Sequence, residues 1–223
     1  MDQLYQALLE VRLVLGEADR WVWKAGGLQT FSVSSDYSLL RRDGEVVFSP
    51  IYSKLWSCKV VPSALVTAWR VLENKIATRA NLERRGVLVD SPLCCLCEKE
   101  EESYRHLFFG CRFAWRVWCL CLEWLGVAFV SHIDLMLNFA QFRMCQSSKS
   151  VNEVSRTIWV GVVGEIWTHR NFIIFNRGVA DASEVCARVQ AKVWSWINVR
   201  SRSASFPFSS WCMVPLECMR MVA

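Results

Sequence analysis

Apolar residues recur at helical intervals along most of this chain, and polar breaks divide them into separate runs. Leu4, Leu8, Val11 and Leu15 predict an amphipathic helix over 2–15 that stops near Gly16. Trp21 and Trp23 then alternate with Val22 and Lys24, Gly26 and Gly27 supply a turn, and 30–33 returns, which predicts a short N-terminal β-hairpin. Ser34, Ser35 or Asp36 can cap a short helix running to Leu40, and Asp43-Gly44 marks a turn into an extended segment over 45–51. Pro62 opens a helix with Leu65, Val66, Trp69, Leu72 and Ile76 on one side. Thr78 is the expected N-cap of the next helix, with Leu82 on its buried side and Gly86 at its C-terminal stop.

Helical spacing resumes further on. Trp115, Trp118, Leu122 and Leu125 predict a helix over 113–125, and 133–142 continues in the same style. After a polar break at 146–150, Ile158, Val162, Ile166 and Phe172 predict a helix over 154–175, and Val185, Val189, Val193 and Ile197 another over 180–199. Asn176, Arg177 and Gly178 divide those two, and the stretch from Ser201 carries no clean period. The expected fold is mainly α with a short N-terminal β-hairpin: a small helical domain built around a metal loop, then a helical C-terminal region. The boundaries are a lead-in over 1–50, a metal-binding domain over 51–145, helices over 151–200 and an irregular tail over 201–223.

The segment between the two helical stretches, 94–111, reads CCLCEKEEESYRHLFFGC and holds a Cys-x2-Cys pair followed by His-x4-Cys. Two thiolates from one tight loop and a second pair from a short helix can close a tetrahedron around zinc. The expected ligands are Cys94, Cys97, His106 and Cys111, with Cys95 an alternative to Cys94. Four protein ligands leave no open position for water, so this zinc would hold the fold together and would not activate a nucleophile. The acidic run 98–102 reads as a solvent-facing spacer, and Leu107, Phe108 and Phe109 as apolar anchors. Unmetallated core cysteines are the alternative reading of the same residues.

Composition narrows the classes further. The 223 residues include 12 Trp, and the chain is 53% hydrophobic, ample for a core. No apolar run approaches the ~20 residues that span a bilayer, because Arg116 and Glu123 interrupt the greasiest stretch, 113–130. The first residues lack the basic and apolar regions of a signal peptide, and the 11 cysteines fall at irregular spacing. Both features predict an intracellular, reducing setting, nucleus or cytoplasm. The formal charge is +5, and the stretch 54–85 alone carries that excess: Lys54, Lys59, Arg70, Lys75, Arg79, Arg84 and Arg85 face only Glu73 and Glu83. Asp36, Asp43, Asp90, Asp134 and Asp181 are scattered, so no carboxylate cluster for magnesium is expected, and no thiol motif adjoins His132 or His169. No enzyme and no small-molecule substrate are expected.

These residues together resemble the zinc-binding domain found after the reverse transcriptase of plant LINE-type non-LTR retrotransposons. The resemblance lies in Trp21 and Trp23, Phe31-Ser32-Val33, the Pro62 helix ending in Trp69-Arg70, and Thr78 with Asn81-Leu82 and Arg85-Gly86. The cysteine and histidine loop, and Trp115 or Trp118 after it, complete the pattern. Ala64 stands where the family usually has lysine, and Glu98 where a glycine often eases the turn after the second cysteine. The resemblance implies a structural zinc and a nucleic-acid-binding module, for RNA or single-stranded DNA, from the C-terminal part of a retroelement polyprotein with its reverse transcriptase upstream. Arg70, Lys75, Arg79, Arg84 and Arg85 are the expected phosphate contacts. The alternative is a structural or protein-interaction zinc module, including a degenerate retroelement fragment.

Overall fold

In the computed structural model, Ser32 and residues 50–128, 132, 134–143, 148–200 and 205–222 are described. The expected N-terminal helix, β-hairpin and short capped helix lie outside the described residues. So does nearly all of the unit 1–47, and the fold below is that of residues 48–223, which form one compact unit.

Local signals start and stop most of its helices. After α1 (Pro50–Trp56), Pro62 begins α2 (Pro62–Leu72), where a missing N–H costs nothing in the first turn. The apolar pattern of α2 runs on to Ile76, but the helix stops at Leu72 because Asn74 adopts a left-handed conformation at φ 51°. Ile76 is buried all the same. Buried Asn81 holds this turn by donating from Nδ2 to the carbonyls of Asn74 (3.0 Å) and Ile76 (2.7 Å). Asn81 belongs to α3 (Arg79–Glu83), whose N-cap Thr78 accepts from the Asn81 N–H as expected, with Gly86 at φ 76° beyond its end.

α4 (Arg112–Leu125) ends on left-handed Gly126, and Asp134 caps α5 (Leu135–Gln141). Ser148 caps the 28-residue α6 (Lys149–Asn176), which left-handed Arg177 terminates. Asp181 Oδ1 accepts from the N–H groups of Ser183 (2.8 Å) and Glu184 (3.1 Å) at the start of α7 (Ala182–Arg200).

The tail expected to be irregular contains two short helices, α8 (Phe208–Met213) and α9 (Pro215–Met221). Each is too short to show a period, yet Trp211 of α8 is wholly buried. Its indole donates to Gln190 O (3.0 Å), and its own carbonyl accepts from the Trp124 indole (3.2 Å).

α6 is the axis of the unit. Ile158, Trp159, Val160, Val162, Val163 and Ile166 are all fully buried, so this helix is apolar on every side through its middle, with α2, α4, α7 and α9 packed around it. Gly161 lets α7 approach: a Cβ there would lie 2.8 Å from Val193 Cγ2. One continuous core runs from Leu55 to Met219, fed by side chains from 51–145 and from 151–221 alike. Among the described residues there is no strand, only an isolated antiparallel bridge between Leu93 and Glu101, and no helix long and apolar enough to cross a membrane.

Candidate metal centre

The loop that presents the first two cysteines is closed by its own backbone. Around the Leu93–Glu101 bridge, the N–H of Cys94 donates to Glu100 O (2.7 Å) and that of Glu102 to Pro92 O (2.9 Å). Inside it, the Glu98 N–H returns to Cys94 O (2.7 Å), which turns the chain tightly enough for Cys94 and Cys97 to face the same point. The turn requires a left-handed residue, and Glu98 supplies it at φ 55°.

The second pair depends on a wider turn. His106 opens a π-helical turn (His106–Gly110), in which the Cys111 N–H donates to His106 O (2.7 Å) across five residues. That separation is the His-x4-Cys spacing of the sequence. Trp118 locks the turn from α4, its indole donating to Phe108 O (2.9 Å) while its ring stacks on Phe109 at 5.5 Å. Leu107 and Phe108 anchor the turn in the core as expected.

The result is a quartet in which one ligand atom each from Cys94, Cys97, His106 and Cys111 lies within 4.8 Å of the others. Cys94 Sγ and Cys111 Sγ are 3.9 Å apart, and Cys97 Sγ is 3.2 Å from His106 Nε2. Thiolates on a tetrahedral zinc sit about 3.8 Å apart at ordinary Zn–S lengths, so the quartet fits the ion. The Cys94 thiol donates to Cys111, which lowers Cys111 to about 5 and raises Cys94. The N–H groups of Ala114 and Phe113 at the start of α4 favour the Cys111 thiolate further. On the far side of the imidazole, His106 Nδ1 lies 3.1 Å from Glu100 Oε2, close but off line for a hydrogen bond, which puts a carboxylate where metal-binding histidines commonly have one.

Cys95 turns the other way. Its Sγ lies 3.8 Å from both Glu102 Oε2 and the Arg170 carbonyl, and burial followed by the Glu102 charge pushes its thiol up to about 11. The quartet therefore takes Cys94, and Cys95 packs between the loop and α6.

Residues 31–118 match a family model for zinc-binding in reverse transcriptase. No curated protein and no solved structure matches the chain significantly. The matched zinc-binding segment takes in α1 to α3 and all four ligands, and it ends at Trp118, the residue that pins the π turn. Its Cys94, Cys97, His106 and Cys111 suit a structural zinc: the donor set is closed, three of the four residues are buried and Cys97 is half-buried.

The acidic spacer of this segment is not uniformly solvent-facing. Glu98, Lys99, Glu100 and Glu101 are exposed, but Glu102 is fully buried. Its carboxylate receives Arg170 of α6, with Nη2 2.5 Å from Oε1 and Nε 3.2 Å from both oxygens, and it caps α3 by accepting from the Arg79 N–H (3.0 Å). Arg170 also lies 4.8 Å over the ring of Trp167, one turn before it in α6.

The expected phosphate contacts separate by role. Arg70, Lys75, Arg84 and Arg85 are exposed. Lys75 Nζ lies 3.4 Å from Glu73 and 4.9 Å over Trp69, Arg85 donates to Lys75 O (3.1 Å), and Arg84 to the Asn81 side chain. Arg79 is half-buried and donates to Ser91 O (2.7 Å), which ties α3 to the start of the metal loop.

Proposed function

We propose that the chain is a zinc-stabilised nucleic-acid-binding module from the C-terminal part of a non-LTR retrotransposon polyprotein, working inside the cell beside an upstream reverse transcriptase and without catalytic activity of its own. The observation that carries this reading is that Arg70, Lys75, Arg84 and Arg85 are exposed on the segment that matches the family model for zinc-binding in reverse transcriptase. Only Lys75 of these has a carboxylate within ion-pair distance among the described residues. A surface cation left without an anion adds little to folding, whereas phosphate neutralisation releases counterions and gives salt-dependent affinity. Arg79 supports the surface from behind through Ser91.

Titrating single-stranded RNA into wild type and an Arg84→Glu, Arg85→Glu variant at two salt concentrations tests the proposal. The wild type should bind with a log–log salt slope of roughly −0.7 per phosphate contact, and the variant more weakly with a shallower slope. Equal affinity for both proteins, or none for either at low salt, moves the function to a second reading, a zinc staple that only holds the fold. The burial of the loop's Glu102 against α6 favours that second reading. Primer-extension and cleavage assays with magnesium should show no turnover by the purified chain, and turnover that survives stringent purification would refute the non-catalytic part.

A further inference from the structure

α4 has an apolar side that the fold uses and an aromatic on the other side that it does not. Ala114, Val117, Trp118, Cys121 and Leu125 are buried. Trp115 faces outward, 51% exposed, beside the row formed by exposed Arg112 and Arg116. Trp118, one turn on, is buried and places its indole N–H on Phe108 O. The Trp115 indole meets no acceptor among the described residues, and no carboxylate there pairs with Arg112 or Arg116. Two arginines at i and i+4 repel each other, and a tryptophan exposed beside them leaves apolar surface in water, so neither choice is explained by folding. An anion held by both arginines, with a flat apolar group on the indole, removes both costs. The platform is also firmly placed, because its helix begins at the ligand Cys111, whose carbonyl accepts from the Trp115 N–H (2.8 Å).

We infer that Trp115 is a stacking site for one unpaired base of a single-stranded nucleic acid, with Arg112 and Arg116, which form one row beside it on α4, holding phosphates along one edge of that base. The inference rests on the nucleic-acid reading above and adds a location and a strand preference to it. In a duplex both faces of a base are already covered, so Trp115 contributes only to single strands, whereas the exposed arginines attract either form.

The test uses the zinc-loaded full chain and a fluorescently labelled 12-nucleotide RNA, the DNA of the same sequence, and the corresponding duplexes. Trp115→Ala should weaken binding of both single strands by about 5- to 150-fold and change duplex binding by less than about twofold. Trp115→Phe should recover most of the loss, and Trp56→Ala, which removes a similarly exposed indole (49%), should have no effect. Arg112→Gln with Arg116→Gln should reduce the single-strand salt slope by about 1.4. Wild-type binding that Trp115→Ala leaves intact, or loses equally on duplex, overturns the stacking site alone and leaves the Arg84 and Arg85 reading standing. Absence of wild-type binding at low salt overturns both. Because Trp115 is exposed, unchanged circular dichroism and zinc content are expected for its variants.

Discussion

Glu102 of the metal loop and Arg170 of α6 form an ion pair closed off from solvent, the carboxylate 0% and the arginine side chain 5% exposed. The pair spans 68 residues, and the same carboxylate caps α3 through the Arg79 N–H, so one side chain joins the loop, α3 and the central helix. Buried charges of this kind add little when compared with a well-packed apolar replacement, but removing one partner strands the other in a low-dielectric site.

The pair therefore predicts an asymmetry. Arg170→Met should destabilise residues 48–223 by about 3 to 5 kcal/mol in urea unfolding, and adding Glu102→Gln should recover part of that loss, because the uncompensated carboxylate is then gone. Additive losses in the double variant would show that the two residues act separately.

Zinc binding should distinguish neighbouring cysteines. Cys97→Ser removes one of four ligands, so the purified variant should lose its single zinc and melt at the temperature of the chelated wild type. Cys95→Ser should keep one zinc per chain, since that thiol points at Glu102 and Arg170. Metal analysis with melting curves before and after chelator checks both, and zinc retained by Cys97→Ser would remove that residue from the ligand set.

The Cys94, Cys97, His106 and Cys111 cluster was legible in the sequence because spacing limits which thiols can converge, although spacing left Cys95 open beside Cys94 until the loop's turn placed its thiol toward α6. The helices were legible wherever apolar positions followed a start signal, a capping side chain at Thr78 or a first-turn proline at Pro62. Three features were not. The end of α2 is set by left-handed Asn74, which an apolar pattern continuing to Ile76 conceals. The helices of 205–222 are shorter than two turns and owe their place to buried Trp211. Glu102 sits in a run of carboxylates, and only the fold reveals that the last of them meets an arginine 68 residues away.

Glu98 supplies a further test. Its φ of 55° is a conformation that an L side chain adopts at a cost of roughly 1 to 2 kcal/mol, partly offset in a comparison with glycine by glycine's greater freedom when unfolded. Glu98→Gly should stabilise the zinc-loaded protein by about 0.5 to 1 kcal/mol, read as a higher midpoint in urea. A lower midpoint would mean that the Glu98 side chain contributes more than its backbone costs.

The last prediction concerns acid. His169 is fully buried in α6, stacked at 5.3 Å on Phe113, and its Nε2 accepts from the Asp181 N–H (3.2 Å). Burial, then the Arg188 guanidinium 2.8 Å from Nδ1, holds its pKa below the ordinary value of 6.5, against a smaller opposing pull from Glu184, Asp181 and Glu165. The ring is thus neutral when folded and takes up a proton more readily when unfolded. Where the unfolded chain binds more protons, stability rises with pH, so the contribution of His169 is full above about pH 6.5 and declines as pH falls below it. Unfolding free energy measured from pH 7.5 to 5 should therefore fall more steeply for wild type than for His169→Asn, the proton linkage of the metal site being common to both proteins. Parallel curves for the two proteins would show that His169 carries no acid sensitivity, and a steeper fall in the variant would reverse the sign of its shift.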